Sequence, residues 1–66
     1  MVRMSPEQWT RLLGEMAQGV SPSVAAELVG VSPAELLDDL WRDRSRAMDF
    51  LRVTLAQIAA TEIAAH

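Results

Sequence analysis

The segment that decides the fold lies between residues 24 and 36 and reads Val24-Ala25-Ala26-Glu27-Leu28-Val29-Gly30-Val31-Ser32-Pro33-Ala34-Glu35-Leu36. A tight turn between two crossing helices needs a small residue at the crossing point and a glycine in the turn. Ala26 and Gly30, four residues apart, meet both needs. Val31 then supplies an apolar side chain that packs into the interior at the turn, and Ser32 caps the next helix. The segment therefore predicts a helix, a short turn and a second helix.

Helix starts are marked by three Ser-Pro pairs at residues 5–6, 21–22 and 32–33. Serine is a favoured N-cap, and proline at the first helical position loses no hydrogen bond. Gly19 and Gly30 stand where helices should end. We therefore expect helices over about 6–18, 22–29 and 33–43, and a fourth from about residue 45 almost to residue 66. The pattern leaves open whether the third and fourth helices form one kinked rod.

The predicted fold class is all-α, with three short helices and a longer C-terminal association helix. Residues 1–44 would form a helix-turn-helix domain, and residues 45–66 the oligomerisation helix. Apolar residues at spacings of three and four should face the interior. They are Trp9, Leu12, Leu13, Met16 and Ala17 in the first helix, Val24, Ala25, Leu28 and Val29 in the second, and Leu36, Leu37, Leu40 and Trp41 in the third.

The composition of the chain excludes several classes of function. The 66 residues are 50% hydrophobic and include no cysteine, which excludes disulfides, thiolate zinc sites and a thiol nucleophile. No serine has a histidine or lysine in a position to activate it, and His66 is the single histidine. We therefore expect no enzyme activity, metal, cofactor or small-molecule substrate. No apolar run is long enough to span a membrane, so we expect a cytoplasmic protein without a membrane partner.

Residues 24–36 look like the helix-turn-helix of phage and bacterial DNA-binding proteins, and the likeness is closest to small terminase subunits of tailed phages. Trp41-Arg42-Asp43-Arg44 resembles the aromatic and charged residues that end the recognition helix in those proteins, and Ala47-Met48-Asp49-Phe50-Leu51 resembles the long helix that comes next. The resemblance covers roughly residues 9–52. It implies a DNA-recognition subunit of a packaging motor, which assembles into a ring and engages the large terminase.

Arginines are concentrated after residue 40. The net charge of the chain is −3, but four of its six arginines lie in residues 41–66. Arg42, Arg44 and Arg46 are therefore the predicted phosphate contacts for DNA. The alternative is ion pairing on the helix surface, for which Asp38 and Arg42 have the i,i+4 spacing.

Carboxylates on the third helix point to a different partner. Glu35, Asp38 and Asp39 occupy positions where a DNA-reading helix usually carries basic or amide side chains. Because these acids would repel phosphates, they favour an adaptor or inhibitor that presents an acidic helix to a basic protein. A transcriptional regulator is the third hypothesis.

The fourth helix carries more apolar surface than a small domain can cover. Leu51, Leu55 and Ile58 form one stripe, and Ile63 belongs to a second that is rotated around the helix. A chain of this size buries only about 60% of the surface of its unfolded state, which makes self-association useful. We therefore expect a homo-oligomer held by Leu51, Leu55, Ile58 and Ile63.

Overall fold

The computed structural model describes residues 4–65 and contains four α-helices. They are α1 (Pro6–Ala17), α2 (Pro22–Leu28), α3 (Pro33–Arg42) and α4 (Arg44–Ala65). Residues 4–65 contain no strand, so the all-α class is confirmed. Residues 1–3 and His66 lie outside the described residues. Helix α1 packs against α2 and α4, and α3 packs against α2 and α4.

Two of the predicted helix starts are closed by capping boxes. The Ser5 hydroxyl accepts a hydrogen bond from the Gln8 backbone N–H at 3.1 Å, and the Gln8 side-chain oxygen accepts one from the Ser5 N–H at 2.9 Å. Ser32 and Glu35 repeat this exchange at the start of α3. Ser21 precedes Pro22 as expected, but its side chain makes no capping hydrogen bond. Local sequence thus sets the starts of the first three helices.

The turn between α2 and α3 has the predicted construction. Gly30 adopts a φ of +79°, a left-handed conformation that glycine tolerates best. The Val31 N–H donates to the Ala26 carbonyl at 2.9 Å, and both side chains are buried. Leu36 is buried as well, so it fixes the start of α3 to the core.

One apolar core joins the four helices. Its buried members come from α1, α2, the α2–α3 turn, α3 and the segment before α1: Met4, Trp9, Leu12, Met16, Ala25, Ala26, Val29, Val31 and Leu36. Helix α4 contributes Phe50 and Val53, which are partly buried against this core. Val24 and Leu28 of α2 were expected inside, but each is about half exposed.

The inward face of α3 differs from the predicted one. Trp41 is 83% exposed and Leu37 is also exposed, so placing them in the core was wrong. The physical reason is rotation: Leu37 lies about 100° and Trp41 about 140° around the helix from the buried Leu36. Asp39 takes the inward position instead.

Helices α3 and α4 are separate, and a single residue lies between them. Asp43 has an extended backbone, with φ −128° and ψ 104°. Its N–H donates to the Asp39 carbonyl at 3.0 Å, and its carboxylate accepts from the Arg46 N–H at 3.1 Å. Asp43 therefore ends one helix and caps the next, and α4 begins at Arg44, about one residue earlier than expected.

Candidate functional site

A buried polar cluster lies where α3 meets α4. Asp39 is only 2% exposed. One oxygen of its carboxylate, Oδ2, accepts hydrogen bonds from the Met4 N–H at 3.0 Å and from Arg46 Nη1 at 3.1 Å. The same Arg46 nitrogen donates to the Met4 carbonyl at 3.0 Å. The cluster thus ties the start of the chain to both C-terminal helices.

Arg46 makes further contacts around this cluster. Its Nε lies 3.7 Å from an Asp43 carboxylate oxygen, and its guanidinium carbon lies 5.3 Å from the centre of the Trp9 ring. The side chain is only 16% exposed. A cation at this distance from an indole ring is stabilised by the ring's quadrupole. Arg46 therefore acts inside the fold, where its guanidinium contacts two carboxylates, a backbone carbonyl and an aromatic ring.

This placement corrects two predictions. Asp39 was assigned to an outward acidic face, but it is buried and paired with Arg46. Arg46 was assigned to DNA phosphates, but its donors already serve Asp39, Asp43 and Met4. Asp39 and Asp43 lie at i,i+4 spacing, at which like charges repel, and the shared Arg46 offsets that repulsion. Asp39, Asp43 and Arg46 are spaced one helical turn apart, and this spacing was the sequence signal that could have predicted their cluster.

The other predicted site residues remain on the surface. Arg42 pairs with Asp38 at 3.1 Å, and the two side chains are 51% and 43% exposed. Arg44 is exposed at the first position of α4. Glu35 is exposed and closes the cap of α3. The junction of α3 and α4 therefore presents two surface arginines, one of which is paired with an acid.

Apolar and acidic side chains share the outer face of α3. Leu37 and Trp41 are one helical turn apart, and both are exposed. Asp38 lies beside them on the same side of the helix. A large exposed aromatic side chain next to a carboxylate is a surface suited to protein contact.

The predicted oligomerisation residues are all exposed on α4. Leu51, Leu55 and Ile58 are each about half exposed, and Ile63 is more exposed still. Met48, which the sequence reasoning did not assign to this stripe, lies one turn before Leu51 and is similarly exposed. The residues of α4 that face the core lie on the opposite side and include Phe50 and Val53.

Gln57 is a contact that sequence reasoning missed. Its amide nitrogen donates to the Met16 carbonyl and to the Val20 carbonyl, the latter at 2.8 Å. It therefore satisfies backbone acceptors at the end of α1 and fastens α4 to it. The only signal was one amide side chain in line with the inward residues Phe50 and Val53.

Two other kinds of site are absent from the described residues. Within the part of the chain that the structure describes, no three His, Cys, Asp or Glu side chains are grouped to hold a metal ion. Across residues 4–65, no helix has both the length and the apolar character needed to cross a membrane.

Comparison with known proteins yields no relative: no family model, curated protein or solved structure matches the chain.

Proposed function

We propose that the chain is a non-catalytic recruitment protein whose helix-turn-helix domain binds DNA and whose α4 mediates self-association. The role is that of a small terminase subunit in phage-type DNA packaging, in the cytoplasm of the host cell. The observation that carries the DNA part is the pair of surface arginines, Arg42 and Arg44, at the junction of α3 and α4. Engagement of a large terminase follows from the resemblance of residues 9–52.

DNA contact through this junction is electrostatic. Each phosphate neutralised by an arginine releases counterions, so affinity falls as salt rises, with a slope of about −0.9 per phosphate. Arg42 is shared with Asp38, and a phosphate must compete with that carboxylate. Removing Asp38 should therefore strengthen binding, whereas removing Arg42 should weaken it.

Fluorescence anisotropy with a short labelled duplex tests this proposal across a range of salt concentrations. Arg42→Ala should weaken binding several-fold and make the salt slope shallower by about one. Asp38→Ala should tighten binding. Arg11→Ala removes the same charge from an exposed position on α1, and it should leave the affinity within about twofold. Equal losses for Arg42→Ala and Arg11→Ala would reject a specific contact at the junction.

A second candidate function rests on the outer face of α3. The strongly exposed Trp41, with Leu37 and Asp38 beside it, favours an adaptor that docks on a basic protein surface. Asp38→Ala and Trp41→Ala separate the two functions. For a basic protein partner, Asp38→Ala weakens binding and Trp41→Ala abolishes it. For DNA, Asp38→Ala strengthens binding and Trp41→Ala has little effect.

A further inference from the structure

The outward face of α4 carries a regular apolar stripe. Met48, Leu51, Leu55 and Ile58 follow one another at spacings of three, four and three residues, and each is 46–55% exposed. This 3-4 alternation is the spacing of the contact seam in paired helices. The core of the domain occupies the opposite side of α4, so the stripe faces away from the rest of the chain.

Opposite charges continue the stripe at its two ends. Arg44 precedes Met48 by four residues, and Glu62 follows Ile58 by four, so both keep the same 3-4 register. Both side chains are exposed. The stripe therefore runs from a cation through four apolar side chains to an anion.

We propose that this stripe binds the stripe of a second copy of the chain, with the two α4 helices antiparallel. Leu51 then faces Leu55 of the second copy, Met48 faces Ile58, and Arg44 faces Glu62. Each of these layers occurs twice, because the two-fold axis crosses α4 level with residue 53. The inference deepens the self-association part of the proposed function and rests on it.

Charge complementarity selects both the occupant and the direction. A surface that is positive at one end and negative at the other is complementary to itself when reversed, as a two-fold interface requires. In the antiparallel pair, two Arg44–Glu62 ion pairs close the ends of the apolar seam. In a parallel pair, Arg44 would face Arg44 and Glu62 would face Glu62, so like charges would meet at both ends.

Ile63 does not belong to this contact. It lies about 100° around the helix from the centre of the stripe, although at 76% it is more exposed than Leu51, Leu55 or Ile58. The sequence pattern had already placed it on a second stripe, but it was assigned to the oligomer contact together with Leu51, Leu55 and Ile58. Ile63 therefore provides a matched control, since an apolar residue on the same helix can be replaced outside the proposed seam.

Sedimentation of the full chain without DNA tests the apolar part. We expect the wild type to form a dimer, and Leu55→Glu to weaken dimerisation at least about tenfold. Ile63→Glu should change it by less than about twofold. Far-UV circular dichroism should show that both variants remain helical, since both positions are exposed. A wild type that is monomeric at all concentrations, or equal effects of the two variants, would overturn the proposal.

Charge reversal tests the direction. Arg44→Glu and Glu62→Arg each place like charges at both ends of an antiparallel pair, so each should weaken dimerisation by roughly threefold to thirtyfold. The double variant restores opposite charges and should recover the wild-type constant. In a parallel pair, each single variant only exchanges one like-charge contact for another, so the dimerisation constant would stay the same. Single variants that dimerise as tightly as the wild type would therefore overturn the antiparallel arrangement.

The two proposals fail separately. Arg44 belongs to both proposed contacts, so the two tests use different conditions and residues. Dimerisation is measured without DNA, and the DNA test relies on Arg42, which lies outside the stripe. Loss of the expected dimer alongside Arg42-dependent DNA binding would reject the antiparallel contact alone. A dimer with the expected charge behaviour but no DNA binding would reject only the DNA role.

Discussion

Two aspartate–arginine pairs lie side by side in this molecule and have opposite roles. Asp38–Arg42 and Asp39–Arg46 have the same nitrogen–oxygen distance, 3.1 Å. The first pair is about half exposed, whereas in the second Asp39 is buried and Arg46 is largely buried. Water screens the first pair, whereas the second depends on its partners to compensate for lost hydration. Burial, and not contact distance, therefore decides which pair maintains the fold and which lies at the surface.

Removing the buried acid should have the largest effect. Asp39→Ala leaves Arg46 without its main counter-charge and the Met4 N–H without its acceptor, so we expect a loss of about 3–5 kcal/mol in the free energy of unfolding. Urea unfolding followed by tryptophan fluorescence measures this loss. Asp39→Asn keeps an acceptor and provides a milder variant if Asp39→Ala does not fold. A loss below about 1 kcal/mol would contradict the role of burial, since that is the range of exposed pairs.

A smaller effect is expected when the charge is kept but its geometry is changed. Arg46→Lys retains a cation beside Asp39 but loses the fork that reaches Met4 and Asp43 with separate nitrogens. We expect a destabilisation of about 1–2 kcal/mol, comparable to the loss of one or two hydrogen bonds. Thermal unfolding measures it, with Arg42→Lys as the exposed counterpart. Equal shifts in the two variants would mean that charge alone matters at both sites.

The exposed pair should have the smallest effect on stability. Asp38→Ala is expected to change the free energy of unfolding by no more than about 1 kcal/mol, with less effect at high salt. Urea titrations at low and high ionic strength measure it. An Asp38→Ala loss as large as that of Asp39→Ala would remove the contrast between the two pairs.

Sequence predicted the local features of the fold well. The caps at Ser5 and Ser32 and the turn at Gly30 depend on neighbours within four residues, so spacing alone revealed them. The sequence did not predict which face of α3 is buried. Whether Asp39 or Trp41 faces inward depends on how α3 meets α4 across Asp43 and on a backbone contact from Met4. That contact is 35 residues away, and no local pattern encodes it.

The candidate site was only partly predictable for the same reason. Arg42 and Arg44 lie on the surface, whereas Arg46 belongs to the interior, although all three have similar neighbours in the sequence. The stripe on α4 was recognised from its apolar spacing, since periodicity within one helix is a local property. Gln57 was missed because its two acceptors are 41 and 37 residues away.

Two side chains fix helix α4 to the rest of the domain at separate points along its length. Arg46 anchors it near its first turn, and Gln57 fastens it to the end of α1 about 16 Å further along, at about 1.5 Å per residue. Met48, Leu51 and Leu55 lie between these two points, and Ile58 lies just beyond the second. The proposed contact with a second copy would therefore form on a helix that the domain already holds in place, and less conformational entropy would be lost on binding.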